Sequence, residues 1–128
     1  MRLLLDTHTL MWWAGKSKQL PINVRDLLAD NTNDVFMSVA NAWEMQIKAQ
    51  LGKLTLHKPW PGVVRDEMTM NGFHLLHAEL PHIEVLDRLP LRHKDPFDRL
   101  LIAQAIHENL TLVTNDPKFP AYPVNVLW

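Results

Sequence analysis

At 128 residues, 47% of them apolar and 21% charged, the chain has the size and composition of a single globular domain spanning residues 1–128. It has no cysteine, which excludes a disulfide framework and a thiolate zinc site. Its formal net charge of −1 excludes the broad basic surface of a passive nucleic-acid binder, so any such contact must be local or bridged by a cation.

Residues 2–5 form a short apolar run ended by Asp6 and predict a buried strand. Thr7 or Thr9 can cap a helix through Leu10, Met11, Trp12 and Trp13 that stops near Gly15. Pro21 opens a second helix over 22–29, with Val24, Leu27 and Leu28 on its apolar side. A second strand over 35–38 leads into a long helix over 39–51, closed by Gly52. Pro59 and Pro61 precede a helix over 62–70, and 73–76 is a third strand. A short helix over 80–88 ends before Pro90, and a stronger one runs over 96–108. Strands over 110–114 and 124–127 complete the chain. No apolar run approaches the roughly 20 residues of a membrane span. Asp6 also interrupts what a signal peptide would continue, so a cytoplasmic protein is expected.

Strands alternating with helices imply an α/β fold, with helices on both faces of a parallel sheet. Ligands of such sheets bind outside the carboxyl ends of the strands. Asp6 directly follows the first strand and Asp116 lies two residues past the strand over 110–114, so both are expected on that rim.

Each acid near the rim also has a purely structural explanation. Asp6 can cap the following helix, and Asp116 sits in the turn-forming run Thr114-Asn115-Asp116-Pro117. Glu44 shares a helical stripe with Ala40, Ile47 and Leu51, where Lys48 at i+4 can pair with it. Its neighbour Trp43, aligned with Val39 and Ile47, is expected in the core. Asp95, Pro96 and Asp98 fit the N-cap, N1 and N3 positions of one helix. Asp95 is then the cap, and Asp98 points off the helix start toward the rim. Grouped carboxylates repel and raise one another's pKa, which a hard divalent cation relieves. Such an ion can activate water and stabilise both oxygens of an in-line phosphoryl displacement.

The segments Leu5-Asp6-Thr7-His8, Ala42-Trp43-Glu44-Met45, Thr114-Asn115-Asp116 and the block from Asp95 through Asp98-Arg99 to Ala105 resemble those of PIN-domain proteins. The likeness is greatest to the small VapC-type toxins of type II toxin–antitoxin pairs, and it runs through essentially the whole chain. The resemblance implies a three-layer α/β/α domain and a magnesium- or manganese-dependent endoribonuclease. It assigns the catalytic, metal-holding positions to Asp6, Glu44, Asp98 and Asp116, with Thr114 in support and Asp95 as a subgroup feature. It further implies an RNA substrate, a homodimer, and an antitoxin protein laid across the active-site groove.

Other residues fit the same frame. None of the seven histidines shows zinc-site spacing, although His8 and His93 lie near the acidic segments. Lys48, Lys53, Arg92, Lys94 and Arg99 are available to phosphates, with Arg99 expected in an ion pair that steadies an acid. Trp12 and Trp13 lie about 100° apart on their helix, so either one faces a partner or both pack at a domain edge. A haloacid-dehalogenase-type phosphatase is disfavoured, because His8 stands where that chemistry needs its second Asp. A non-catalytic RNA- or protein-binding module on the same fold is the alternative, and loss of an acid would have favoured it.

Overall fold

A computed structural model describes the whole chain, Met1–Trp128. Five strands, β1 (Arg2–Leu5), β2 (Asp34–Ser38), β3 (His74–Leu76), β4 (Thr111–Val113) and β5 (Val126–Leu127), form one sheet in the order β3-β2-β1-β4-β5. All four pairings are parallel. Helices α1 (Thr7–Ala14), α2 (Ile22–Ala29), α3 (Val39–Gln50), α4 (Trp60–Met70), α5 (Leu80–Arg88) and α6 (Pro96–Glu108) connect the first four strands, and a 3₁₀ turn (Phe119–Ala121) precedes the last.

The period of two along each strand explains the layers. Leu3 and Leu5 of β1, Val35 and Met37 of β2 and Val113 of β4 face one core, which Leu10, Val24, Leu28 and Val64 close from α1, α2 and α4. Leu4 and Leu112 face the other core, which Val85 of α5 and Leu101, Ile102 and Ala105 of α6 close. The helix α3 lies at the junction, with Met45 in the first core and Ala40 in the second. Leu3, Leu4 and Leu5 are wholly buried. Each contributes on the order of 1.5–3 kcal/mol of burial, which fixes β1 as the central strand.

The chain steps outward from β1 to β2 to β3, then crosses back to place β4 on the other side of β1. The strand order therefore reverses between β1 and β4, and a crevice opens there beyond their carboxyl ends.

Several boundaries differ from expectation for local reasons. The α1 helix starts at Thr7, and its cap is Asp6, not Thr7 or Thr9. The α4 helix begins at Trp60, two residues early, because Pro61 in the first turn lacks an N–H that would have no partner there anyway. β4 and β5 are shorter than expected; Leu110 N–H turns back to the Ala105 carbonyl (2.8 Å) and finishes α6. Gly52, with φ of 69°, supplies the left-handed turn after α3.

Trp43 is not core: it is 60% exposed, edge-on to Phe97 with ring centres 5.3 Å apart. Ala40, Asn41 and Met45 set the buried face of α3. Trp43 lies roughly 140° round the helix from the middle of that face, whereas Glu44 and Lys48 lie close to it. Trp12 and Trp13 both pack at the domain edge. Trp13 stacks on Phe73 and donates to Glu67 Oε1 (2.7 Å), and Trp12 meets Trp128 edge-on.

Candidate functional site

Asp6, 5% exposed, leaves β1 at the reversal of strand order. Its Oδ1 accepts the Thr9 N–H (2.7 Å) as the α1 cap, and its Oδ2 accepts the hydroxyl of buried Thr114. Its own N–H donates to the Val113 carbonyl (3.3 Å), so Asp6 is stitched to the end of β4 from both sides. Thr114 Oγ1 in turn accepts the Asp116 N–H (3.1 Å), and Asp116 Oδ1 accepts the Lys118 N–H (2.9 Å). The cap and the rim position of Asp6 are thus one arrangement.

Glu44 reaches the same crevice from α3. Thr7 donates its hydroxyl to Glu44 Oε1 (2.6 Å), and Lys48 pairs with Oε2 (3.3 Å). Behind them, buried Asn41 donates to the Thr7 oxygen (3.0 Å) and to the Leu5 carbonyl (3.2 Å). A polar seam therefore runs from the end of β1 to Glu44. Ser38 extends it, donating to Gln104 of α6 (2.6 Å) while its own N–H donates to Asn41 Oδ1 (2.7 Å).

Asp98 enters from the start of α6. Asp95 is the cap, as its spacing predicts, and its Oδ1 accepts the Phe97 and Asp98 N–H groups (2.9 and 3.2 Å). Freed from capping, Asp98 turns its Oδ2 toward His93 Nε2 (2.7 Å). Burial pushes the Asp98 pKa up, and the charges of Asp95 and Glu44 push the same way, against the hydrogen bond from His93.

The side chains of Asp6, Glu44, Asp98 and Asp116 all line one cavity of about 290 Å³, with Asp95, His8, His93, Lys48 and Lys118 around them. The donor set is hard oxygen, which suits magnesium or manganese rather than zinc. Asp98 Oδ1 and Asp116 Oδ2 carry no hydrogen bond from the protein and are available as ligands. No three of these groups converge closely enough to hold an ion by themselves. An ion that keeps several waters, as magnesium does, fits this spacing; a fully protein-liganded one does not.

Arg99 differs from expectation. It pairs with no acid and donates to the Pro90 and Leu86 carbonyls (2.9 and 3.4 Å) and to the Tyr122 hydroxyl (3.3 Å). Two carbonyls at the end of α5 and the Tyr122 hydroxyl take three of its five N–H donors, so it braces that segment and keeps donors to spare. Sequence reasoning passed over Asn41, Ser38, Gln104 and Lys118. Asn41, three residues after a strand-ending Ser, carried a detectable signal as a reciprocal helix cap. The contact between Ser38 and Gln104, 66 residues apart, carried none.

A family model described as "PIN domain" matches residues 3–125. Among solved structures, the chain is similar to VapBC2 from Rickettsia felis bound to a DNA fragment from their promoter. That likeness has 22% sequence identity and a TM-score of 0.75, and covers 99% of this chain and 98% of that one. It is also similar to DNA-bound VapBC from Salmonella typhimurium (17% identity, TM-score 0.71, 99% and 97% covered). A third likeness is to VapBC-5 from Mycobacterium tuberculosis, a member of the VapBC family of toxin–antitoxin systems (16% identity, TM-score 0.63, 98% and 95% covered). No curated protein matches the sequence. At these identities the structural likenesses speak to the fold.

Proposed function

The chain belongs to the PIN-domain family, and from that premise we propose that it is a magnesium- or manganese-dependent endoribonuclease, the toxin of a toxin–antitoxin pair. The observation that carries the proposal is the single cavity into which two strand ends and two helices bring Asp6, Glu44, Asp98 and Asp116. Stability gives no reason to gather four carboxylates there, and Asp98, its pKa raised first by burial and then by the charges of Asp95 and Glu44, is an acid that a cation would relieve.

In this reading Asp98 and Asp116, each with a free oxygen, hold the ion most directly, with Asp6 and Glu44 completing the charge around its waters. The ion, when bound, supplies an activated water and charge stabilisation for phosphodiester hydrolysis. The protein's own part is positional. Thr114 orients Asp6, while Thr7 and Lys48 hold Glu44. His93 hydrogen-bonds Asp98 and is placed to relay a proton at its Nε2. The likeness to VapBC-5 supports an antitoxin protein as the partner. The exposed Trp43, beside Phe97, supports a homodimer contact.

The test is cleavage of a panel of RNAs with and without magnesium or manganese, with Asp98→Asn as control. Metal-dependent cutting that disappears in the variant supports the proposal. Cutting that persists in chelator, or equally in Asp98→Asn, overturns it.

A further inference from the structure

A second cavity adjoins the acidic one, and His93 lines both. It is larger, about 390 Å³, and is walled by Leu86, Leu91 and Pro96 with His93, Lys94 and Arg99 at its edge. The two cavities are electrostatic opposites. Five carboxylates line the first and none lines the second. Lys94 and Arg99 pair with no acid anywhere in the fold, so their charge is uncompensated. Arg99 is also immobile, because its fork holds the Pro90 and Leu86 carbonyls. Leu91 is 89% exposed beside the basic run Arg92-His93-Lys94, an apolar side chain that nothing in the monomer covers.

We infer that this cavity seats the base of a nucleotide flanking the scissile phosphate, with Lys94 and Arg99 meeting the adjoining phosphate. The inference rests on the RNA reading above and names the contact that such a substrate needs. A net charge of −1 draws no polyanion from a distance, and the five acids repel the one that arrives. A strand crossing the acidic cavity therefore needs cations next to it, and the edge of the second cavity supplies them. Leu86, Leu91 and Pro96 offer apolar surface to the face of a base, which every base presents alike. A volume of about 390 Å³ lies within the usual range of small-ligand pockets. An apolar protein segment could also use the leucines, but it would leave Lys94 and Arg99 without anionic partners.

The experiment titrates a fluorescent single-stranded hexaribonucleotide into the full chain carrying Asp98→Asn, with magnesium present so that binding is read without cutting. Leu86 and Leu91 methyl resonances are followed in parallel. Leu91→Ser is expected to weaken binding about tenfold, near the lower end of the range for losing one base contact, and Lys94→Gln by about the same factor through the lost phosphate contact. Both side chains are exposed, so the melting temperature should not move. RNA-induced shifts of the two methyl groups would place the base in the cavity. Unmoved methyls, unchanged affinity in both variants, or no hexamer binding at all would overturn the inference, as would methyls that answer to an acidic peptide and not to RNA. Cleavage is scored separately with the native acids. RNA cut normally by Leu91→Ser and Lys94→Gln with unchanged KM sinks the cavity alone, whereas RNA seated here but never cut sinks the nuclease reading alone.

Discussion

The candidate site has two halves built in different ways. Asp6 and Asp116 follow parallel strands, and backbone N–H groups and a buried threonine hydroxyl hold them. Glu44 and Asp98 come from the neighbouring helices α3 and α6, and the side chains of Thr7, Lys48 and His93 hold them. Asp6 has spent both oxygens on the fold. Asp98 keeps one oxygen free and carries a raised pKa. The difference separates an acid that is structural before it is functional from one whose charge the metal-free protein would be better without.

Replacing the two acids should break the site differently. Asp98→Asn is expected to lower RNA cleavage by roughly 10²–10³-fold, the scale for losing one preorganised charge-stabilising group, while the fold stays intact. Near-normal activity would remove Asp98 from the chemistry. Asp6→Ala should lose activity and stability together. Losing the α1 cap costs about 1 kcal/mol, and stranding the buried Thr114 hydroxyl adds about 1–3 kcal/mol. Urea denaturation measures this directly. A stable Asp6→Ala protein would show that the stitch from Asp6 to β4 contributes little.

Metal sharpens the comparison from the other side. Millimolar magnesium or manganese should raise the melting temperature, because the ion binds the folded acids and not the unfolded chain. At ten to a hundred times Kd the gain is about 1.4–2.7 kcal/mol, several degrees for a domain of this size. The shift should shrink most in Asp98→Asn and Asp116→Asn, whose free oxygens are the direct ligands in the proposed arrangement. No shift in the unaltered protein would sink the metal site and leave the acids as caps and turns.

The two halves were also unequally legible in the sequence. An apolar run ended by Asp6, and a second ended by Thr114 and Asp116, place those acids on one rim through strand order alone, and the reversal between β1 and β4 bears that out. Glu44 and Asp98 joined the set through family resemblance, because a helical acid reads equally well as an exposed partner for Lys48 or as part of a capping box. The apolar stripe of α3 even misled, since it puts Trp43 inside. The buried face instead centres on Asn41 and Met45, where a polar residue stands for the seam it joins. Arg99 misled in the same way: no local pattern shows that backbone carbonyls at 86 and 90 will occupy a guanidinium. Patterns of period 2 or 3.6 report burial, and contacts across 30 to 100 residues lie beyond them.

The smallest expected effect is the most specific to Asp98. Burial raises its pKa first, and Asp95 and Glu44 add to the rise. Ionising it is therefore harder in the folded protein than in the unfolded chain, where an aspartate titrates near ~3.9. The stability this group allows is present in full below that value, and is lost as pH climbs through the raised folded pKa. The metal-free native protein should thus lose stability relative to Asp98→Asn between about pH 4 and the folded pKa, with the difference constant above it. Urea midpoints of the two proteins in chelator, taken at steps of pH, measure this. His93→Gln should carry the loss to higher pH if the histidine's hydrogen bond to the ionised acid is what restrains the rise. Magnesium should invert the trend, because an ion at Asp98 rewards the charge that burial penalises. A pH-independent difference between the two proteins would mean that His93 already compensates the carboxylate, leaving the cavity with no electrostatic need for a cation.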